Sequence, residues 1–86
     1  MGRPTVHGVK VILKGDKTSH GGEVITASKT RTYEGIGVAR KGDLARCPKC
    51  HGTFEIIEGS SASTDRGIPI ALHGHKLECG AELIAG

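Results

Sequence analysis

The chain has 86 residues, which is room for one domain, and it contains no Trp, one Tyr and one Phe. Its net charge is +3, but neither a basic stripe nor stacking aromatic residues accompany that charge, so we expect no nucleic-acid binding. A core this poor in aromatic side chains, in a chain with 14 Gly, is predicted to need stabilisation by a metal, a disulfide or a partner.

The predicted strands are short and rich in β-branched residues, and in chain order they cover residues 9–13, 24–26, 54–57 and 68–71. Gly, Asp and Ser separate them, which is typical of strands joined by tight turns. No window of helical length shows an apolar period of 3.6 residues. The sequence therefore predicts an all-β fold.

A repeat is visible in the chain. GIGVARKGD at 35–43 and GIPIALHGH at 67–75 share Gly, Ile, Ala and a second Gly at the same offsets, and VILKGD at 11–16 matches the second half. The three turns, Gly15-Asp16, Gly42-Asp43 and Gly74-His75, are therefore predicted to be equivalent. We expect one domain, 1–86, of three repeats (about 9–34, 35–66 and 67–86). They would share a core in a pseudo-threefold β-prism, because one unit cannot bury its apolar side alone.

The residues able to bind a metal lie in the loops after these turns: His20, Cys47, Cys50, His51, His75 and Cys79. Structural zinc takes four N or S ligands, usually in a tetrahedron. It supplies apparent free energies on the order of 10–16 kcal/mol in small peptides, against a typical domain stability of about 5–15 kcal/mol. One structural zinc between the loops would therefore decide whether this chain folds.

Two ligand sets fit the spacing. The preferred set uses the His-Gly segments of two loops and the four-residue spacing of the third: His20, His51, His75 and Cys79. The alternative set has zinc-ribbon spacing and leaves His20 unused: Cys47, Cys50, His75 and Cys79. His and Cys ligands in a small structural domain favour zinc over iron.

The sequence predicts no catalytic residues and no enzyme. Asp16 and Asp43 follow turn glycines, where Asp usually has a structural role. Motifs such as H-E-x-x-H or G-x-S-x-G are absent. A small metal-dependent enzyme is the least supported alternative.

Location follows from two further features. No apolar run approaches the roughly 18 residues of a membrane helix, and the first residues lack the apolar segment of a signal peptide. We therefore expect a protein made in the cytoplasm, where cysteines stay reduced and metal binding is favoured over disulfides. Export by a route without a signal peptide is compatible with this.

Several pieces of the sequence, in this order, resemble the PAAR-repeat family from about residue 9 to residue 84: TSHGG after a Gly-Asp turn, VARKGD, CPKC, IEGS and CGAELI. Two places differ from the family pattern. Gly37-Val38-Ala39-Arg40 stands where the family has Pro-Ala-Ala-Arg, and Pro69-Ile70-Ala71-Leu72 lacks the Arg.

The resemblance implies a cone-shaped β body with zinc near its point, whose base caps the trimeric spike protein VgrG of a type VI secretion system. The tip would leave the cytoplasm through that apparatus, touch the target membrane transiently, pierce the envelope and help to deliver separate effectors. No residues are assigned to the spike contact. The alternative function is a zinc-ribbon-like module that binds nucleic acid or protein; it predicts that His20 is dispensable.

Overall fold

Short strands joined by glycine turns form residues 4–49 and 51–85, the part of the chain that this computed structural model describes. No helix occurs in that part, which confirms the all-β prediction. The strands, in chain order, are β1 (Thr5–Val6), β2 (Val9–Lys10), β3 (Lys17–Thr18), β4 (Glu23–Val24), β5 (Thr32–Tyr33), β6 (Ile36–Gly37), β7 (Leu44–Cys47), β8 (Gly52–Glu55), β9 (Ser60–Asp65), β10 (Ile68–Ile70) and β11 (Leu83–Ile84).

Three two-residue hairpins recur along the chain, joining β1 to β2, β5 to β6 and β9 to β10. The first turn residues have positive φ angles of 51°, 50° and 53°: His7, Glu34 and Arg66. The second turn residues have φ angles of 80°, 81° and 82°: Gly8, Gly35 and Gly67. Positive φ at both positions defines the type I′ turn, whose twist matches that of antiparallel strands and whose second position favours Gly.

Three central segments follow these hairpins and bridge to one another: residues 11–13, 38–40 and 70–72. The amide of Ile12 donates to the carbonyl of Ala71 at 3.0 Å, Ala71 donates to Ala39 at 3.0 Å, and Ala39 donates to Ile12 at 2.8 Å. The hydrogen bonds therefore close a ring of three, and all three residues are fully buried. The repeats are arranged around this ring in a pseudo-threefold manner.

Apolar side chains form two clusters on opposite faces of the central ring, because successive side chains of an extended chain point to opposite sides. The first cluster includes the middle residue of each central segment and packs against Cys79; we call it the site-side cluster, after the candidate site described below. Its buried members are Ile12, Val24, Ala39, Ala45, Ile56, Ala71, Leu77, Ala81 and Leu83. The hairpin-side cluster contains the flanking residues and packs against Val6 and Tyr33 of the hairpins: Val11, Leu13, Val38, Ile70 and Leu72. Burial is thus divided between two thin layers that contain few aromatic residues.

The predicted equivalence of the three turns is confirmed by their side-chain hydrogen bonds. The amide of Leu13 donates to Asp16 Oδ2 at 2.8 Å, and that of Arg40 donates to Asp43 Oδ2 at 2.8 Å. In the third turn the amide of Leu72 donates to Nδ1 of His75 at 3.0 Å. An imidazole nitrogen therefore fills the place that a carboxylate oxygen has in the other two turns.

One of the three sectors carries an ion pair where the others are apolar. Arg40 occupies the position of Leu13 and Leu72, and its guanidinium lies 3.3 Å from Asp43 and 3.4 Å from Asp65. Asp65 also accepts hydrogen bonds from the hydroxyls of Ser28 and Thr30. The Ser28 hydrogen bond, then that of Thr30 and the charge of Arg40, lower the pKa of Asp65 against the opposing effect of burial.

A five-stranded antiparallel sheet of order β11-β3-β4-β7-β8 carries the loops of interest. The described residues measure 30 × 26 × 23 Å along their principal axes. The cone shape stays an expectation of the resemblance.

Candidate metal centre

Three side chains from three distant parts of the chain meet beyond the site-side cluster. The ligand atoms of His20, Cys47 and Cys79 all lie within 4.8 Å of one another. The Nδ1 atom of His20 is 3.4 Å from the Sγ atom of Cys47. Cys47 is fully buried, whereas His20 and Cys79 are half-buried. One imidazole and two thiols at this separation could hold a metal ion.

Two of these residues lie in loops of the same geometry. Around His20, the amide of Thr18 donates to the carbonyl of Gly22, and Gly21 donates to Thr18, both at 3.0 Å. The loop of Cys79 repeats both bonds with Leu77, Ala81 and Gly80, at 2.8 and 2.9 Å. In each loop the residue after the candidate ligand is a glycine with positive φ, 82° for Gly21 and 91° for Gly80. The segments TSHGG and LECGA therefore build equivalent supports.

Cys47 reaches the same place from a longer hairpin. It is the last residue of β7, and it pairs with Gly52 at the start of β8. The amide of Val24 donates to the carbonyl of Asp16, and that of Ile56 donates to Asp43, both at 2.9 Å. The stretch between these bonded residues covers 43–56 here, against 16–24 in the first repeat, so it has five additional residues. The extra length extends β7 and β8 beyond the level at which the other two loops turn.

Counting from the turns explains why these three residues meet. His20 follows Asp16 by four positions, Cys47 follows Asp43 by four, and Cys79 follows His75 by four. Equivalent positions in a pseudo-threefold arrangement lie around its axis, so the three side chains converge there. This count was available in the sequence, but matching the His-Gly pairs pointed to His51 instead of Cys47.

The predicted site residues are distributed as follows. The group within the described residues contains His20 and Cys79, and it contains Cys47, which was predicted only in the alternative set. His51 lies outside this group, exposed, with a φ of 58° in the turn between β7 and β8. His75 also lies outside it and accepts the hydrogen bond from Leu72. Cys50 is outside the described residues, and the full ligand set stays a prediction.

The three side chains fit a zinc ion by chemistry and by distance. Zinc–sulfur bonds of about 2.3 Å and zinc–nitrogen bonds of about 2.0 Å place neighbouring N and S ligands of a tetrahedron about 3.5 Å apart. The separation between His20 Nδ1 and Cys47 Sγ is 3.4 Å. Two thiolates would also balance the charge of a divalent ion. The donor set therefore matches that of structural zinc sites.

A glycine beside the site allows the loop of His20 to come into close contact with β7. A Cβ atom added at Gly22 would overlap the carbonyl oxygen of Arg46 and lie 3.2 Å from the Cα atom of Cys47. The amide of Gly22 also donates to Thr18 Oγ1 at 3.0 Å. Gly22 is therefore the position at which the His20 loop packs directly on the strand that carries Cys47.

Comparison with protein families gives a match to the PAAR motif over residues 14–85. That span includes all three turns and every candidate ligand. The chain belongs to the PAAR-motif family. Comparison with curated proteins gave no match. PAAR-motif proteins are tip components of type VI secretion spikes, so a general role in such a spike follows for this chain.

The PAAR segment of this chain has a physical explanation in the fold. Ala39 is one of the three residues of the central hydrogen-bonded ring, where it is fully buried. Arg40, the residue at the Arg position of the motif, pairs with the turn residue Asp43 and with Asp65. The motif thus supplies a small residue at the centre and a charged side chain that pairs with the turn residue Asp43 and with Asp65 at the end of β9.

A search of the described residues of this PAAR protein for helices that could span a membrane finds none.

Proposed function

We propose that this chain is a spike tip that caps a trimeric VgrG spike and is stabilised by one zinc ion. The observation that carries the proposal is the closed ring of Ile12, Ala39 and Ala71, together with the family match. A body with three similar sectors can present a related contact to each chain of a threefold partner. We further propose that residues 1–86 form a single domain of three repeats.

The two faces of the central ring suggest which end meets the spike. The ligand atoms of His20, Cys47 and Cys79, which come from three parts of the chain, lie within 4.8 Å of one another, and this convergence supports a narrow leading end. The three hairpins spread over the opposite face, where their strands pack on the hairpin-side cluster. The hairpin face would therefore be the base that meets VgrG, where strand edges could extend the partner's sheets.

We propose His20, Cys47 and Cys79 as three of the zinc ligands, one from each repeat. The fourth ligand would come from the extra residues between β7 and β8, where the sequence has Cys50 and His51. Cys50 is favoured because C-x2-C is a common zinc spacing. The alternative fourth ligand is His51, which the sequence analysis predicted. Bound zinc would connect the three repeats and would have a structural role, without catalysis.

The wider role follows from the same proposal. The tip would be assembled on VgrG in the cytoplasm and then secreted with the spike, meeting the target membrane only briefly. Effectors would be separate proteins carried by the same spike. This places the function in mechanical delivery and not in chemistry on a substrate.

Native mass spectrometry of the chain mixed with a purified VgrG trimer, before and after treatment with a chelator, tests the proposal. We expect one zinc per chain, one chain per three VgrG chains, and loss of the complex when the zinc is removed. An unrelated trimeric β-helical protein is the control and should not bind. A zinc-loaded chain that does not bind any VgrG trimer would contradict capping and favour a zinc-binding interaction module.

A further inference from the structure

Two surface clefts lie at equivalent positions beside the hairpins. The first has a volume of about 350 Å³ and is lined by Gly8, Val9, Lys10, His73 and Ala85. The second has a volume of about 440 Å³, and its lining includes Lys14, Ile25, Thr26, Lys29, Gly35 and Gly37. We call them cleft 1 and cleft 2. Both include residues of a type I′ hairpin, so both lie on the hairpin side of the molecule.

Backbone hydrogen bonds show the equivalence of the two clefts. In cleft 1 the amide of His73 donates to the carbonyl of Lys10 at 2.9 Å, and in cleft 2 that of Lys14 donates to Gly37 at 2.9 Å. Each cleft therefore lies between the second strand of a hairpin and the residue that precedes a turn glycine. The same geometry was built twice from different side chains.

The third sector has the same backbone bond but closer packing. Lys41 donates to the carbonyl of Pro69 at 2.8 Å. A Cβ atom added at Gly59 would lie 2.6 Å from Pro69 Cβ and 3.2 Å from Lys41 Cβ. Here the chain at Gly59 already packs against the position that borders the clefts in the other two sectors.

The clefts share a basic lining. Cleft 1 is lined by Lys10 and His73, cleft 2 by Lys14 and Lys29, and their described lining residues include no carboxylate. The residue before the turn glycine is basic and exposed in every repeat: Lys14, Lys41 and His73. Because Nδ1 of His73 accepts a hydrogen bond from the amide of Ala85, the neutral ring carries its proton on Nε2 and is a donor there.

Apolar surface accompanies the charge. Val9 in cleft 1 is 37% exposed, and Ile36, which adjoins the lining of cleft 2, is 44% exposed. A partner segment that fits this combination carries an acidic side chain next to an apolar one. Opposite charge at the rim favours association and orients the partner, while the apolar contact adds buried area.

We propose that clefts 1 and 2 each bind an acidic segment from one chain of the VgrG trimer. This inference rests on the proposed function and assigns the contact within the base. Two spike chains would each insert a carboxylate beside the lysines of one cleft. The third spike chain would meet the sector in which Gly59 packs against Pro69, where Lys41 is exposed. One tip would therefore bind one trimer through two filled clefts and one flatter contact.

Charge reversal on the cleft side, compared with the same change on the site side, tests the proposal. The test variant is K10E/K14E, with one substitution in each cleft, and the matched control is K17E/K49E in the sheet and hairpin that carry His20 and Cys47. Both change the net charge by the same amount at exposed residues. The Kd for a VgrG trimer is measured at low and high salt, and zinc content and Tm verify that each variant is folded.

We expect K10E/K14E to weaken binding about 100-fold at low salt, with a smaller loss at high salt because ions screen the contact. K10R/K14R should bind as the wild type does, and K17E/K49E should change Kd less than about threefold. Equal binding by wild type and folded K10E/K14E would overturn the cleft assignment and leave capping intact. Equal loss in K17E/K49E would also overturn it, as a general charge effect. Failure of the wild type to bind would overturn both proposals.

Discussion

The two ends of the molecule are ordered in different ways. At the hairpin end, each turn is specified by adjacent residues, as in His7-Gly8 with its two positive φ angles. At the site end, His20, Cys47 and Cys79 come from distant parts of the chain and meet beside a cluster of aliphatic residues. Local bonds specify the turns of the hairpin end, whereas the meeting of the three candidate ligands depends entirely on long-range contacts. Metal removal should therefore loosen the site end first.

The largest effect is expected when Cys47 is replaced. C47S should remove zinc binding and destabilise the fold by several kcal/mol, because a structural zinc contributes strongly to small domains. In a domain of this size that loss lowers Tm by more than about 10 °C. Zinc content by native mass spectrometry and thermal unfolding measure both effects.

The matched comparison is H51A, which changes a candidate ligand that lies outside the described group. If Cys47 is a ligand and His51 is not, H51A keeps its zinc and its Tm. Retention of zinc by C47S together with loss in H51A would contradict the ligand assignment from the structure and restore the preferred set of the sequence.

A substantial effect is expected at Gly22, where the site end is closely packed. G22A should destabilise the protein by about 3 kcal/mol, because the new methyl group overlaps the carbonyl of Arg46 and displaces the His20 loop. G52A is the control, since a Cβ there lies 3.6 Å from the ring of Phe54, an ordinary contact. Urea unfolding of both variants gives the difference; equal stability of the two would show that the His20 loop can move away from β7 at little cost.

A smaller effect, dependent on pH, is expected in the sector of Asp65. The folded-state pKa of Asp65 is lowered, chiefly by the Ser28 hydroxyl, below the unfolded value of about 3.9. Its ionised form therefore stabilises the fold above that pH, and the contribution is lost as the pH falls through the folded pKa.

The comparison is with D65N, which shares the metal site, so that loss of zinc in acid affects both proteins alike. The stability difference between wild type and D65N should be constant above about pH 5 and shrink below about pH 4. Urea unfolding across this range measures it. A difference that stays constant down to the lowest pH would mean that Asp65 does not act through its charge.

The smallest effect is expected at His75. H75D gives the third turn the residue of the other two, so it should keep zinc and differ from wild type by less than about 1 kcal/mol. H75A removes the acceptor for the amide of Leu72 and should cost about 1 kcal/mol. Loss of zinc in H75D, measured by native mass spectrometry, would show that His75 is a ligand after all.

Much of the fold was readable from the sequence because its signals are local. Gly at a fixed place in each repeat specifies the turns, and β-branched residues between glycines specify strands. The equivalence of Gly15-Asp16, Gly42-Asp43 and Gly74-His75 was predicted and confirmed, even though His replaces Asp in the third. The type I′ hairpins were not predicted, although an x-Gly pair before each central segment marks them.

The sequence by itself determined that the chain is all-β, that it repeats three times and that His and Cys gather in the loops after the turns. Only the tertiary structure decided which of those residues meet. The hairpin of β7 and β8 is longer than its counterparts, so His51, which the His-Gly match had selected, lies in an exposed turn. Cys47 lies beside His20 instead. Counting four positions from each turn indicates Cys47, whereas matching the His-Gly pairs indicates His51. The register in which β7 and β8 pair decides between the two, because it sets the distances between side chains.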